Sequence, residues 1–368
     1  MTRYRPTVVE VDLDAIRHNV RLLKPSGAEL MAIVKGDGYG HGGARVARAA
    51  LDAGASWLGV ALVEEGLGLR EAGVDAPVLV LSELPPGSEK EALAANLSPS
   101  LYSDDGLARL AEAAGAAGGP VGVHVKVDTG MHRVGVWPPA AAAGFARAVV
   151  AAGLELEGLW THFACSEEDE ALTRRQLGEL VAVNDELRAG GVQARYLHAA
   201  NSAATLLYPE THLDMVRPGA AIYGIDPGGG LAASAGLRPA LTWRSAVSMV
   251  KRLPAGEAVS YGHRYRLERD ANVATVPVGY EDGYPRLLSS RADVLIRGRR
   301  HRVAGTVTMD QILVDCGDHD VTPGDEVVLI GQQDAERITA EELAGLIGTI
   351  GYEVVTAVSE RVPREYRG

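Results

Sequence analysis

Short apolar runs alternate with alanine- and leucine-rich stretches of helical period from residue 29 to about residue 224. A parallel strand covered on both faces reads as a short unbroken apolar run, so this rhythm is the signal of βαβ units. Eight runs fit: Glu29–Lys35, Trp57–Leu62, Pro77–Leu81, Ser98–Tyr102, Val121–Val127, Leu154–Phe163, Arg195–Ala199 and Leu213–Tyr223. Helical patterns fall between them at Ala44–Ala53, Glu89–Asn96, Gly106–Ala117, Pro139–Ala152 and Glu170–Ala189. Eight strand-plus-helix units predict an α/β fold with an N-terminal (β/α)8 barrel of the TIM type.

The rhythm breaks at Pro227-Gly-Gly-Gly-Leu-Ala-Ala-Ser-Ala-Gly236, a glycine- and alanine-rich stretch. Beyond it the runs become β-like: Leu241–Leu253, Ala258–Leu267, Asn272–Val278, Asp293–Ile296, Gln311–Cys316 and Glu326–Ile330. One helical pattern, Thr339–Ile347, opens on Thr339-Ala-Glu-Glu, a capping sequence. The expected organisation is a barrel over residues 8–232 and a mostly-β domain over residues 233–368. Residues 1–7 are expected to join that second domain, through the strand-like run Thr7–Val11.

Composition narrows the function classes. The chain of 368 residues is 46% apolar and 23% charged, enough for a sizeable core. A net charge of −12 repels phosphates on average, which argues against nucleic acid or an anionic membrane as partner. The N-terminal segment lacks the continuous apolar core of a signal peptide, and no run reaches the ~18 apolar residues of a membrane span. Cys165 and Cys316 are the only cysteines, too few for a disulfide scaffold or a paired-cysteine metal site. The expectation is a reduced, cytoplasmic setting and no metal.

Chemistry in such barrels gathers just past the C-terminal strand ends. Those positions hold Lys35, Asp128 with Arg133, His162, Asn201 with Ser202, and Arg217. Several cations and hydroxyls around one mouth suit an anionic ligand. The loop after the first run, Gly38-x-Gly40-x-x-Gly43, has the spacing of a dinucleotide fingerprint, with Glu64 roughly twenty residues further on. A lysine and an aspartate before the glycines, tyrosine and histidine in the turn, and the eight units all count against that reading. The lysine offers another: an amine at the end of an apolar strand is partly desolvated, and its lowered pKa makes it a nucleophile toward carbonyls. Glycines at its exit would let a flat ring lie close to the backbone.

The motifs, in order, are Val34-Lys35 with Tyr39-Gly-His-Gly, Lys126-Val-Asp-Thr-Gly-Met-His-Arg133, Thr161-His-Phe-Ala, His198-Ala-Ala-Asn-Ser202, Val216-Arg-Pro-Gly-Ala-Ala-Ile-Tyr223, Val259-Ser-Tyr261-Gly, Val278-Gly-Tyr-Glu-Asp-Gly-Tyr284, Met309-Asp-Gln, and Tyr352-Glu-Val through Arg361-Val-Pro-Arg. In this order the chain resembles the alanine racemases, pyridoxal 5'-phosphate enzymes of fold type III, over essentially its whole length.

The resemblance implies a two-base interconversion of L- and D-alanine in a cytoplasmic homodimer with composite active sites, supplying D-alanine for peptidoglycan. Lys35 would hold the cofactor as an internal Schiff base, and Tyr261 of the other subunit would be the second acid/base. Two groups are needed because a proton must leave one face of a planar carbanion and return to the other. His162, linked to Arg217, would support the Tyr261 phenolate, and Arg217 would keep the pyridine nitrogen unprotonated. Tyr39, Ser202 and Tyr352 would grip the phosphate through their hydroxyls, with the amides of Ser202, Gly219 and Ala220. Arg133 and the Met309 amide would hold the substrate carboxylate. Lys126 matches a lysine that is carbamylated in many relatives and braces the arginine. Tyr280 and Tyr352 would narrow the entrance. One departure stands out: Gly36-Asp37-Gly38 occupies the place where relatives commonly carry Ala-Asn-Ala. A carboxylate there could support a charged Lys35.

The alternatives are a racemase of another small amino acid such as serine, a fold-related pyridoxal-phosphate decarboxylase or aldolase, and a cofactor carrier built on the barrel alone. The Val-Ser-Tyr261-Gly segment argues against a carrier, which has no use for a base on the opposite face.

Overall fold

The computed structural model describes residues 4–368. The chain divides into two compact units, one of Ala15–Arg238 and one formed by the segment up to Asp14 together with Pro239–Gly368.

In the first unit eight parallel strands close into a barrel. With β1 reserved for Val8–Asp12, they are β2 (Glu29–Ile33), β3 (Trp57–Val60), β4 (Val78–Glu83), β5 (Leu97–Leu101), β6 (Gly122–Lys126), β7 (Glu155–Trp160), β8 (Tyr196–His198) and β9 (Met215–Val216). Each pairs with the next in chain order, and β9 closes on β2 through Glu29 opposite Met215 and Leu30 opposite Val216. The strands carry continuous apolar sequence because helices cover one side and packed side chains the other; all four residues of β3 are buried.

The eighth expected run, Leu213–Tyr223, is mostly not strand. Pairing ends at Val216, and Ala220–Tyr223 form a buried 3-10 turn. Pro218 has no N–H to continue the ladder, so the apolar residues after it are buried without pairing. The first run also stops short, at Ile33 rather than Lys35, because the backbone changes hand immediately afterwards.

The second unit is built on a ten-stranded sheet. The strand β1 lies within it, antiparallel to Leu241–Ala246 (Val9 opposite Trp243) and parallel to Arg364–Arg367 (Val9 opposite Arg364). Residues 8–12, which the sequence reading counts into the barrel, therefore have both edges paired in this sheet. Val9 and Val11 are fully buried there. Of the joining segment 1–7, residues 1–3 lie outside the described residues. Among the described residues no helix is long and apolar enough to cross a membrane.

Side-chain space inside the barrel is tight. Gly158 on β7 lies opposite His124 on β6, and a Cβ at that glycine would overlap the imidazole. Gly158→Ala is expected to destabilise the protein by about 1–3 kcal/mol, as overpacked cores do. A thermal melt checks this, and an unchanged midpoint would mean that His124 can move aside.

Candidate active site

The turn that follows β2 is left-handed. Gly36 (φ 63, ψ 44), Asp37 (φ 49, ψ 49), Gly38 (φ 61, ψ 48) and Tyr39 (φ 52) succeed one another in a conformation that L side chains adopt only at a cost. Glycine removes that cost at two of the four positions, and at Gly38 a Cβ would also press on the Gly43 backbone, 3.1 Å away. The glycines thus suit the backbone handedness of this turn, a local reason for them besides the ring access inferred from sequence. Asp37 is not a partner for Lys35; its Oδ1 accepts the Gly43 N–H at 2.7 Å and closes the turn. The carboxylate that acts on Lys35 is Glu65, which sequence reasoning passed over in favour of its neighbour Glu64.

Five expected residues of the barrel unit lie at strand ends on one mouth. Lys126 ends β6, Lys35, His162 and Arg217 lie just past β2, β7 and β9, and Arg133 follows in the loop after β6. Their charges are felt in common. Burial lowers the Lys35 amine, the Arg133 charge lowers it further, and Glu65 opposes both. Burial and the charges of Arg133 and Arg217 bring Lys126 down to about 7, with Asp128 working the other way. The His162 imidazole is held well below its ordinary value by burial and then by Arg217, Lys126, Arg133 and Lys35. Four basic side chains around a neutral imidazole make a pocket suited to an anion. Burial would raise the Asp128 carboxyl, but the amides of His132 and Gly130 outweigh it and hold the group below its usual range. Asp128 thereby braces the loop that carries Arg133.

Arg217 is buried, and both terminal nitrogens of its guanidinium are held by protein. It donates to the carbonyls of Thr161 (2.6 Å) and Ala199 (3.1 Å) and to His198 Nδ1 (2.9 Å). Trp160 lies beneath both Arg217, 4.7 Å from the ring centre, and Lys126, at 4.5 Å. Burial pulls the guanidinium down to about 9, so it remains charged at neutral pH. The imidazole bonded to Arg217 is His198; His162 meets the arginine through charge. Sequence reasoning gave His198 no role, because a polar residue in a three-residue strand reads as ordinary core.

An arginine can only donate, and this decides the protons behind it. His198 Nδ1 must accept, so its Nε2 carries the hydrogen and donates to His124 Nδ1 at 2.9 Å. His124 is then protonated on Nε2, which stands 3.5 Å from Glu157 Oε2, an ionic approach longer than a hydrogen bond. Both imidazoles are fully buried, and burial lowers both.

A second corner of the mouth is built from β9, the turn after it and the start of Ser202–Leu207. Ser202 Oγ accepts the amides of Gly219 (2.9 Å) and Ala221 (3.2 Å), leaving its one proton to donate. The expected Gly219 contact therefore passes through the serine hydroxyl. Ala220 lies between those two amides and opens the 3-10 turn. A Cβ at Gly219 would come within 2.6 Å of the Tyr39 hydroxyl, so glycine is what admits the tyrosine. Burial raises Tyr39 to about 12, keeping its hydroxyl a donor. Tyr39 also packs on Tyr223, whose hydroxyl donates to the Ile33 carbonyl at 2.9 Å.

Within the other unit, Tyr261 is 74% exposed although its backbone is pinned. Ser260 Oγ donates to the Thr306 carbonyl (2.6 Å) and Thr306 Oγ1 to the Tyr261 carbonyl (2.9 Å). An exposed tyrosine on a braced loop is prepared for a contact. Tyr280 and Met309 are stitched side by side through Tyr280 N–H to the Thr308 carbonyl and Glu281 N–H to the Met309 carbonyl. Tyr352, half-buried, stands in the first turn of the helix Gly351–Thr356.

Comparison with known proteins agrees over both units. Residues 11–227 match the family model described as alanine racemase, N-terminal domain, and residues 240–366 its C-terminal domain. The alanine racemase of Symbiobacterium thermophilum is 50% identical over 373 residues, 99% of this chain and 98% of that protein. That of Salinispora arenicola is 46% identical over 367 residues, 98% of each. Among solved structures, the alanine racemase of D-cycloserine-producing Streptomyces lavendulae superposes with a TM-score of 0.94 at 42% identity, covering 100% of this chain and 98% of that one. The Bacillus anthracis alanine racemase with bound L-Ala-P gives 0.93 at 36% identity, covering 100% and 96%.

Three imidazoles, two buried and that of His162 half-buried, carry a pH dependence of known sign. His124, His162 and His198 are held below the ordinary 6.5 in the folded state. As pH falls past that value the unfolded chain takes up protons that the native state refuses, so stability falls toward acid and is flat above it from this source. The denaturant midpoint is expected to be lower at pH about 5.5 than at about 7.5, above the range where carboxylates titrate. Equal midpoints would contradict neutral imidazoles.

Proposed function

The chain belongs to the alanine racemase family, and from that premise we propose that it interconverts L- and D-alanine with pyridoxal 5'-phosphate held on Lys35, as a homodimer in which each copy lends Tyr261 to the other. The observation that carries this reading is the desolvated Lys35 amine among Arg133, Lys126 and Arg217 at the barrel mouth.

The residues fit that cofactor. Tyr39 and Ser202 offer hydroxyl donors to its phosphate, with the Ser202 and Ala220 amides beside them and Gly219 small enough to admit Tyr39. Tyr352 is assigned a further hydroxyl contact. The buried Arg217, whose guanidinium can only donate, would face the ring nitrogen and keep it unprotonated. When bound, the cofactor supplies the electron sink that makes the substrate Cα–H acidic. Everything else falls to the chain. Lys35, its amine lowered by burial and by Arg133, exchanges the Cα proton on one face. Tyr261 exchanges it on the other. Arg133 and the Met309 amide orient the substrate carboxylate, and Tyr280 with Tyr352 restricts the side chain to about the size of methyl. D-Alanine made this way would supply the cell-wall precursor.

Lys126 completes the set. An amine near 7 is substantially neutral, and a neutral amine adds carbon dioxide: an N–C bond forms, one proton leaves to solvent, and a carbamate anion replaces a cation beside Arg133.

Three measurements test the reading. Lys35→Ala should lose the borohydride-trapped pyridoxyl adduct that maps to residue 35 in the wild type, and a surviving adduct would overturn the assignment. Tyr261→Phe should cut racemisation by about 10²–10⁴-fold while the cofactor stays bound. With ¹³C-bicarbonate, a carbamate resonance should appear that Lys126→Ala abolishes; its absence from the wild type would leave Lys126 a plain amine.

A further inference from the structure

Glu65 belongs to neither the expected phosphate grip nor the pair of proton-exchanging groups, yet it accepts the N–H of the peptide that follows Lys35. It lies in the first turn of the helix Val63–Glu71, half-buried, whereas its neighbour Glu64 is exposed. Its Oε2 accepts the amides of Ala61 (2.7 Å) and Leu62 (3.1 Å), where the chain leaves β3 and enters that helix. Its Oε1 reaches across to the neighbouring strand end and accepts the Gly36 amide at 2.6 Å. One side chain thus ties the exits of β2 and β3 together.

The pattern is selective for an ionised carboxylate. Both oxygens accept from backbone N–H groups, and an amide side chain would turn its own NH2 toward one of them. The Gly36 amide belongs to the peptide that joins Lys35 to the left-handed turn. That turn rotates the amide away from the strand ladder, so without Glu65 it would lose its acceptor. Glu65 is also the one carboxylate whose charge raises the Lys35 pKa, against burial and Arg133; Lys126 and His162 share the same electrostatic neighbourhood.

We infer that Glu65 is a positioning residue for Lys35: it locks the peptide that aims the amine into the barrel mouth and supplies the negative charge that balances the surrounding cations. The inference rests on Lys35 being the cofactor lysine. It explains how the chain carries Gly36-Asp37-Gly38 after Lys35. Glycines relax the turn's handedness, Asp37 closes its far end on Gly43, and Glu65 fixes its near end.

The test is the acylation of Lys35 by acetic anhydride as a function of pH, read by mass spectrometry on the full chain freed of cofactor. Glu65→Gln removes the charge and one acceptor. Its Lys35 profile should move to lower pH, with faster labelling at neutral pH than in the wild type. A cooperative melt together with an unchanged profile would reduce Glu65 to a helix cap and overturn the inference. Should Glu65→Gln fail to fold, Glu65→Asp decides: its shorter arm withdraws from Gly36, and a smaller shift in the same direction is expected, no shift being fatal. Glu64→Gln, the same charge lost from an exposed neighbour, should leave the profile in place; an equal shift would assign the effect to general helix charge and sink the proposal. Borohydride trapping in the wild type keeps the two readings apart. An adduct away from Lys35 refutes the cofactor assignment, whereas an adduct at Lys35 with an unmoved Glu65→Gln profile refutes only the role of Glu65.

Discussion

Burial of the Arg217 guanidinium inside a parallel barrel constrains everything around it. Its donors must find acceptors, and two backbone carbonyls and one imidazole nitrogen take three of them. Because arginine never accepts, that imidazole is forced into one tautomer, and His124 behind it into the same one. Its charge also acts outward, helping to bring Lys126 down to about 7 and His162 below its ordinary value. A charge this deep would be costly alone. Here the carbonyl dipoles, the Trp160 face and the polar chain through His198 and His124 offset the lost hydration. The result is a rigidly held guanidinium that stays protonated at neutral pH.

The second constraint is the handedness of the turn after β2. Five residues from Gly36 to Gly40 hold positive φ, and only Asp37 and Tyr39 among them carry side chains. The strain at those two is balanced by local bonds: Asp37 caps Gly43, and Tyr39 is clamped between Tyr223 and the space left by Gly219. A turn this compact carries Lys35 and Tyr39 to the same mouth within a few residues. It also explains why one stretch can imitate a dinucleotide loop in its glycine spacing while serving a different purpose.

The C-terminal unit contributes through exposure instead of burial. β1 lies inside its sheet, and the loops at 260–263 and 305–309 are cross-braced. Tyr261 and Met309 are thus held on fixed backbone with their side chains exposed. That agrees with the composite site proposed for a homodimer.

Much of this was legible in the sequence, for identifiable reasons. Apolar runs at strand length separated by helical periods are dictated by the need to cover both faces of a parallel sheet, so the barrel followed from pattern alone. Lys35, Arg133, His162 and Arg217 were visible as charged residues at the ends of those runs, and the motif order carried the family. What sequence could not supply was which groups meet. It paired Lys35 with Asp37, a neighbour in the chain, although the acting carboxylate is Glu65 from the next βα unit. It gave His198 no role and ran the last strand through Pro218. Sequence determines local conformation and burial because these depend on neighbours a few residues away. The partners of a buried charge are set by barrel closure, which brings separate strand ends together at distances that no local pattern encodes.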